Sequence, residues 1–276
     1  MHPADAAPAG AGLDPRAPTP ALLLAGRRGP ADAVAAAAGV SHRALVPVAG
    51  IPMLVRVART LLATPGLGPV RVSLDDPGIL AREPALAAEV AAGRLTLHAS
   101  RESPAASVAD ALADAPGPLL VTTADHPLLT RAMLEHFLTR ARASGADVAV
   151  GVVAASVVRA AHPASPRTFV PLRGEGWSGA NLFWLRPPAA QRVAAFWRRA
   201  EQDRKRPWRL VRHFGMSTLA AFLLRRLDLD AALARVSRAV GARVVAVPLP
   251  FAEAAIDVDR PADLALAERL LAQRTE

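Results

Sequence analysis

Runs of apolar residues recur along the chain and alternate with amphipathic stretches. Ala21–Ala25, Val70–Leu74, Leu95–His98, Leu119–Thr123 and Val148–Ala154 are short and apolar, as buried strands are. Between them lie helical patterns. One has Pro52 in its first turn and runs through Leu62, one covers Ala85–Ala92 and stops at Gly93, and one runs from Thr130 to Ser144. Another begins with Ser107–Leu112, with Ser103 to Ser107 as loop and cap. Leu119–Thr123 is apolar on both faces and is therefore expected to be central and parallel. The second half is less regular. Thr168–Leu172 and Ala180–Leu185 read as strands around the Gly174–Gly179 turn, and Arg243–Val247 as a further strand. Pro188–Arg206, Leu210–Leu227, Leu229–Val240 and Pro261–Gln273 read as helices.

This alternation predicts an α/β fold, a mostly parallel sheet flanked by helices, with a helical insertion in the C-terminal half. Ligands in such sheets lie at the carboxyl ends of the strands. Residues 1–20, rich in Ala, Pro and Gly, are expected to form a disordered tail, and residues 21–276 one domain. There are no internal repeats.

Composition narrows the function classes. The chain has 276 residues, enough for a sizeable core, and a formal charge of +9. Such a charge suits nucleic acid, a membrane surface or small anionic ligands. No zinc spacing, basic heptad region or aromatic-rich strand supports nucleic acid. No apolar run reaches the ~18 residues of a membrane span, and there is no signal-peptide pattern. The absence of cysteine excludes disulfides and thiolate metal sites and fits a cytoplasmic chain. Oligomeric state is not legible.

Three stretches carry candidate chemistry. In Leu24-Ala25-Gly26-Arg27-Arg28-Gly29 an apolar strand ends in a glycine-flanked basic loop, where the backbone can approach an anion and Arg can grip phosphate. Arg43 offers a third cation. Asp125 follows the central strand, where a carboxylate meets ligand or a hard cation. Asp257 and Asp259 share one parity of an extended segment, so both can face one side; Asp263 fits a helix start. Downstream, Arg198–His213 holds the strongest positive run, including Lys205, suited to an anionic acceptor or to a solvated helix end.

In this order the stretches resemble the MobA-like nucleotidyltransferases. Leu24–Gly26 with the following basic residues and Arg43–Leu54 look like that family's signature region. Ser107-Val108 resembles its nucleobase-side segment, Thr123–Leu129 its metal-Asp segment, Ser178–Phe183 its acceptor-side turn and Ile256–Leu264 its closing metal-site motif. The resemblance spans nearly all of the chain past Pro20. It implies a Rossmann-like GT-A fold, with residues 21–155 as nucleotide-binding half and 156–276 as acceptor-side half. The implied reaction is transfer of NMP from an NTP, CTP or GTP, to a phosphorylated or anionic small acceptor, with Mg²⁺ or Mn²⁺ as cofactor. Asp125 and Asp259 would hold the metal, with Asp257 as helper or alternative. Arg27, Arg28 and Arg43 would hold the triphosphate. Leu24, Ala25, Gly26, Gly29 and Ser107 would face the nucleotide, and Gly179, Asn181 and Lys205 the acceptor. The family usually has Lys where Arg43 stands, and the segment between Gly26 and Arg43 is longer than in many members. A GT-A glycosyltransferase and a nucleotide-binding relic without turnover are the alternatives.

Overall fold

The structure is a computed structural model that describes residues 18–27, 32–115, 117–163, 165, 167–202 and 224–274. Its centre is strand β1 (Thr19–Leu24). Leu22 and Leu23 are completely buried, yet they belong to different clusters because successive side chains point to opposite faces. Both faces of the sheet are therefore covered, which is why the run is apolar without alternation.

After β1 come helix α1 (Ala33–Ala37), a 3₁₀ turn (Arg43–Leu45), and the hairpin of β2 (Pro47–Val48) and β3 (Ile51–Pro52). They are followed by α2 (Met53–Leu62), β4 (Leu67–Leu74), α3 (Gly78–Ala81), α4 (Ala87–Ala91), β5 (Leu95–Ala99) and α5 (Pro104–Ala113). Then come β6 (Leu119–Thr123), α6 (Arg131–Ser144), β7 (Val148–Ala154), α7 (Ala155–Ala161), β8 (Val170–Pro171) and β9 (Gly176–Leu185). The described chain closes with α8 (Ala189–Gln202), α9 (Leu229–Val240), β10 (Val244–Pro248), a 3₁₀ turn (Ala252–Ala255) and α10 (Pro261–Gln273).

The main sheet has the order β10-β7-β9-β6-β1-β4-β5, with β8 beside β9. β1 is parallel to β4 and β6, β4 to β5, and β7 to β10. β9 runs antiparallel to β6, β7 and β8. The mostly parallel sheet expected from the alternation is present, and β6 is central, although only one of its neighbours is parallel. Helices α2 and α6 pack Leu54, Leu61, Met133 and Phe137 on one face, while α5 and α8 pack Val108, Leu112, Ala190 and Ala194 on the other. A third cluster joins Val34, Val46, Met53, Leu128, Val258 and Leu270. It locks α1, the loop after β6 and α10 together at the carboxyl end of the sheet.

Several boundaries differ from the sequence reading, among them the strand read as Val70–Leu74, which begins at Leu67, and three others. β1 begins at Thr19, inside the expected tail, because Thr19 N–H donates to Gly66 O at 3.0 Å and the residue is buried; residues 1–17 lie outside the described residues. The helix expected from Ser107 starts a turn earlier: Ser103 caps it by accepting Ala106 N–H at 3.2 Å, and Pro104 is its first residue. β9 begins at Gly176, since Gly176 and Trp177 already pair with Pro171 and Val170. The expected helix Leu210–Leu227 lies largely outside the described residues. No described helix is long and apolar enough to cross a membrane.

Candidate active site

The parallel strands β1, β4, β5 and β6 end at one edge, and the segments leaving them meet there. Ala124 N–H donates to Leu24 O at 2.9 Å, Ala25 N–H to Ser73 O at 2.9 Å, and Ser100 N–H to Leu74 O at 2.9 Å. These bonds extend the ladder by one rung and fix where each loop departs. A Cβ built on Gly26 would meet only ordinary contacts, at 3.4 Å from Ser100 and 3.8 Å from Asp75. The fold alone does not demand glycine there, and its lack of a side chain leaves the backbone uncovered on that side.

Arg43 is the hub of the site. Its Nε donates to Asp32 Oδ2 at 2.7 Å, its Nη1 donates to Asp259 Oδ1 at 2.5 Å, and Nη1 lies 3.9 Å from Asp125 Oδ2. Three elements deliver these carboxylates. Asp32 caps α1, its Oδ1 accepting the N–H groups of Val34 and Ala35 at 3.0 and 3.1 Å. Asp125 follows β6 and is 6 % exposed. Asp259 is brought alongside because Val258 N–H donates to Asp125 O at 2.8 Å while the Val258 side chain is buried. Burial works against charge on Arg43, but the hydrogen bond and charge of Asp32, then Asp259 and Asp125, outweigh it and raise its pKa.

A second polar group stands on the other side of Gly26. Arg27 N–H donates to Asp75 Oδ1 at 3.1 Å, and Arg27 Nε donates to His42 Nε2 at 3.2 Å. The buried His42 ring sits 3.3 Å from the Asp75 carboxylate, with its Nδ1 2.9 Å from Ser41 Oγ. The Arg27 side chain is half exposed, so it is tethered yet reaches solvent.

Asp257 and Asp259 part company. Asp257 is ion-paired with Arg167 and accepts Asn181 Nδ2–H at 3.1 Å. The expectation that both could face one side fails because the segment pairs with no strand, so period-two alternation does not govern it. Asn181 sits at a positive φ of 51°, where the register between β7 and β9 shifts, and this bulge turns its amide to Asp257. Gly179 is exposed nearby. Asp263 is buried and accepts the N–H groups of Asp259 and Arg260 at 3.3 and 2.9 Å, a helix cap. His126 is fully buried; burial pushes its pKa down to about 4, so the ring is neutral at physiological pH.

The structure thus brings together Gly26, Arg27, Arg43, Asp125 and Asp259. Ser107 does not reach the edge with its own hydroxyl: it is buried in α5, and its Oγ accepts Arg101 N–H at 2.8 Å, holding the loop after β5. Leu24 and Ala25 spend their carbonyl and N–H, respectively, on neighbouring strands. Arg28, Gly29 and Lys205 lie outside the described residues. Sequence reasoning missed Asp32, His42 and Asp75. Only Asp32 carried a signal, an Asp directly before an Ala-rich stretch, the pattern of a helix cap.

Comparisons with known proteins bear on the fold and the family. A hypothetical transferase from Thermus thermophilus superposes with a TM-score of 0.74 at 32 % identity, covering 89 % of this chain and 99 % of that one. A CMP:2-keto-3-deoxy-manno-octonic acid synthetase, solved in complex with CTP, gives a TM-score of 0.56 at 18 % identity over 93 % and 99 % of the two chains. A 4-diphosphocytidyl-2C-methyl-D-erythritol synthase from Anaerococcus prevotii gives 0.56 at 10 % identity over 93 % and 97 %. At such identities the last two speak for the fold alone. No curated protein matches the sequence. Residues 21–249 match the MobA-like NTP transferase domain, and the chain belongs to that family of nucleotidyltransferases.

Proposed function

We propose that the protein transfers a nucleotidyl group from CTP or GTP to an anionic oxygen of a small phosphorylated or otherwise anionic acceptor. The acceptor oxygen attacks the α-phosphorus, the bond from that phosphorus to the bridging oxygen breaks, and pyrophosphate leaves with the electron pair. Little covalent chemistry falls to the protein, whose task is positioning and charge neutralisation. CTP and GTP are the two nucleotides that the resemblance to the family implies.

The observation that carries this reading is the convergence of Asp125 and Asp259 on one guanidinium nitrogen of Arg43. Two hard carboxylates, one buried and one half exposed, fit a Mg²⁺ or Mn²⁺ ion, which uses few protein ligands and completes its shell with phosphate and water. Asp125 and Asp259 would hold the ion, which when bound supplies neutralisation of phosphate charge. Asp257, engaged by Arg167 and Asn181, would position the acceptor side, together with Gly179, as a helper to the Asp125–Asp259 pair. Arg43, anchored by Asp32 through Nε, turns its Nη groups to the triphosphate, and Arg27 lies opposite. Ser107 shapes the base side through the Arg101 backbone.

Pyrophosphate release, measured with each NTP, Mg²⁺ and a panel of anionic acceptors, tests the reading. CTP or GTP should give the fastest turnover with at least one acceptor. Asp125→Asn and Asp259→Asn should each lose about a hundredfold or more, the scale of deleting an electrostatic stabiliser. Near-wild-type turnover by folded Asp125→Asn would sink the assignment.

A further inference from the structure

Helix α2, the loop after β6 and the end of α10 enclose a cavity of about 290 Å³ that the reaction does not use. Three guanidinium groups line it, from Arg56, Arg59 and Arg274, and its lining contains no carboxylate. Elsewhere among the described residues Arg43, Arg94, Arg101, Arg131 and Arg167 each face an Asp or Glu. None of the three cavity arginines pairs with a described carboxylate.

Two of them are held in place by backbone carbonyls. Arg56 Nε donates to Val48 O at 2.8 Å and its Nη2 to Ala49 O at 3.3 Å. The carbonyls are presented by the β2–β3 turn, where Ala49 and Gly50 both take positive φ, 47° and 75°. Arg274 Nη1 donates to Leu128 O at 3.2 Å. Carbonyl oxygens orient a guanidinium without cancelling its charge. Arg56 is half buried, and burial acts on it with no acidic group to offset it, lowering its pKa. Arg59 and Arg274 stand exposed beside it, so an anion reaching the pocket from solvent meets three cations and no carboxylate in the lining.

We propose that this cavity is a second anion site that takes a small, multiply charged oxyanion of the phosphate class. Its volume sits at the low end of ligand pockets, which span roughly 300–1,000 Å³. It has room for one or two phosphate groups. Several planar guanidinium forks facing one space match tetrahedral oxyanions in geometry and in charge. The site also touches the loop that carries Asp125: Arg274 holds Leu128 O, and Thr60 Oγ1 donates to Leu129 O at 3.4 Å. A bound anion ties α2 and α10 to that loop. Inorganic phosphate and released pyrophosphate share the required chemistry.

Titration calorimetry of the full-length protein, without nucleotide or divalent metal, tests this with inorganic phosphate, pyrophosphate and chloride at constant ionic strength. Wild type should bind at least one phosphate species well beyond chloride, and the tighter of the two identifies the source. Arg59→Gln/Arg274→Gln should raise that dissociation constant about tenfold or more, while Mg·CTP binding stays as in wild type. Arg59→Gln alone, at an exposed side chain with no described partner, should show a smaller rise and removes misfolding as an explanation. Arg27→Gln, in the triphosphate site, should keep the binding component that Arg59→Gln/Arg274→Gln loses. The proposal is overturned if neither anion outdoes chloride, if the double variant binds within about twofold of wild type, or if Arg27→Gln abolishes binding.

Discussion

Asp32→Asn and Asp32→Ala separate two roles of one carboxylate. Oδ1 caps α1 through the N–H groups of Val34 and Ala35, and Oδ2 receives Arg43 Nε at 2.7 Å. The paired side chains are only 14 % and 18 % exposed, so the interaction is not a weak surface pair. Asparagine caps a helix as well as aspartate does, and keeps Oδ1. It loses the charge, and its amide nitrogen cannot accept from Arg43. A hydrogen bond to a charged group contributes ~1.5–3 kcal/mol, so Asp32→Asn should cost about 2 kcal/mol. Alanine also loses the cap, a further ~1 kcal/mol. At roughly 2–4 °C per kcal/mol for a chain of this size, the melting temperature should fall by about 4–8 °C and 6–12 °C, respectively.

The pH dependence supplies the sharper test. Burial raises the Asp32 pKa, but the N–H of Ala35, the hydrogen bond and charge of Arg43 and the N–H of Val34 outweigh it, and the carboxyl sits below its ordinary value of 3.8. A depressed carboxyl contributes stability above the unfolded value and loses it as pH falls through the folded one. The gap between wild type and Asp32→Asn should therefore be constant at neutral pH and close below pH 3.8. Urea unfolding followed by circular dichroism at neutral and acid pH measures it. A gap that persists undiminished in acid, or an Asp32→Asn variant as stable as wild type at neutral pH, refutes the ion-pair argument. In the second case the cap alone would account for Asp32.

Two further outcomes are expected. Asp257→Asn should leave Mn²⁺ affinity near wild type yet lower the melting temperature, because it frees the mostly buried Arg167 from its counter-charge; Asp259→Asn should do the reverse, and paramagnetic resonance of Mn²⁺ distinguishes them. A chain begun at Pro18 should melt higher than one begun at Ala21, since only the former keeps Thr19, whose N–H bonds Gly66 and whose Oγ1 accepts Arg142 Nη2–H at 2.9 Å; equal melting temperatures would show that β1 does not need Thr19.

The elements that could be read from the sequence are those whose signals are local. Leu229–Val240 and Pro261–Gln273 fall where the sequence places them. Asp228 accepts Ala231 N–H at 2.8 Å at one end of α9 and Gly241 takes a positive φ of 66° at the other, so both stops are written in adjacent residues. Asp125 is legible because an apolar strand, buried from Leu119 to Thr122, stops one residue short of it. The site beyond Asp125 is built from contacts that no periodicity encodes. Arg27 and Asp75 are 48 residues apart, Arg167 and Asp257 are 90, and Arg43 and Asp259 are 216. Such pairs exist only once the sheet has set the order of its strands.

The same physics accounts for an arginine where the family usually has lysine. Arg43 holds Asp32 through Nε and Asp259 through Nη1 in different directions, with Asp125 at the margin. A planar fork reaches the two carboxylates from two separate, fixed nitrogens, whereas an ammonium presents its three donors from one point at the end of a flexible stem. The departure at Arg43 is thus coupled to Asp32, and Asp32 is present because the segment between Gly26 and Arg43 is long enough to include the capped helix α1. Two features that look like separate deviations in the sequence, the longer segment and the exchanged cation, form one unit in the fold.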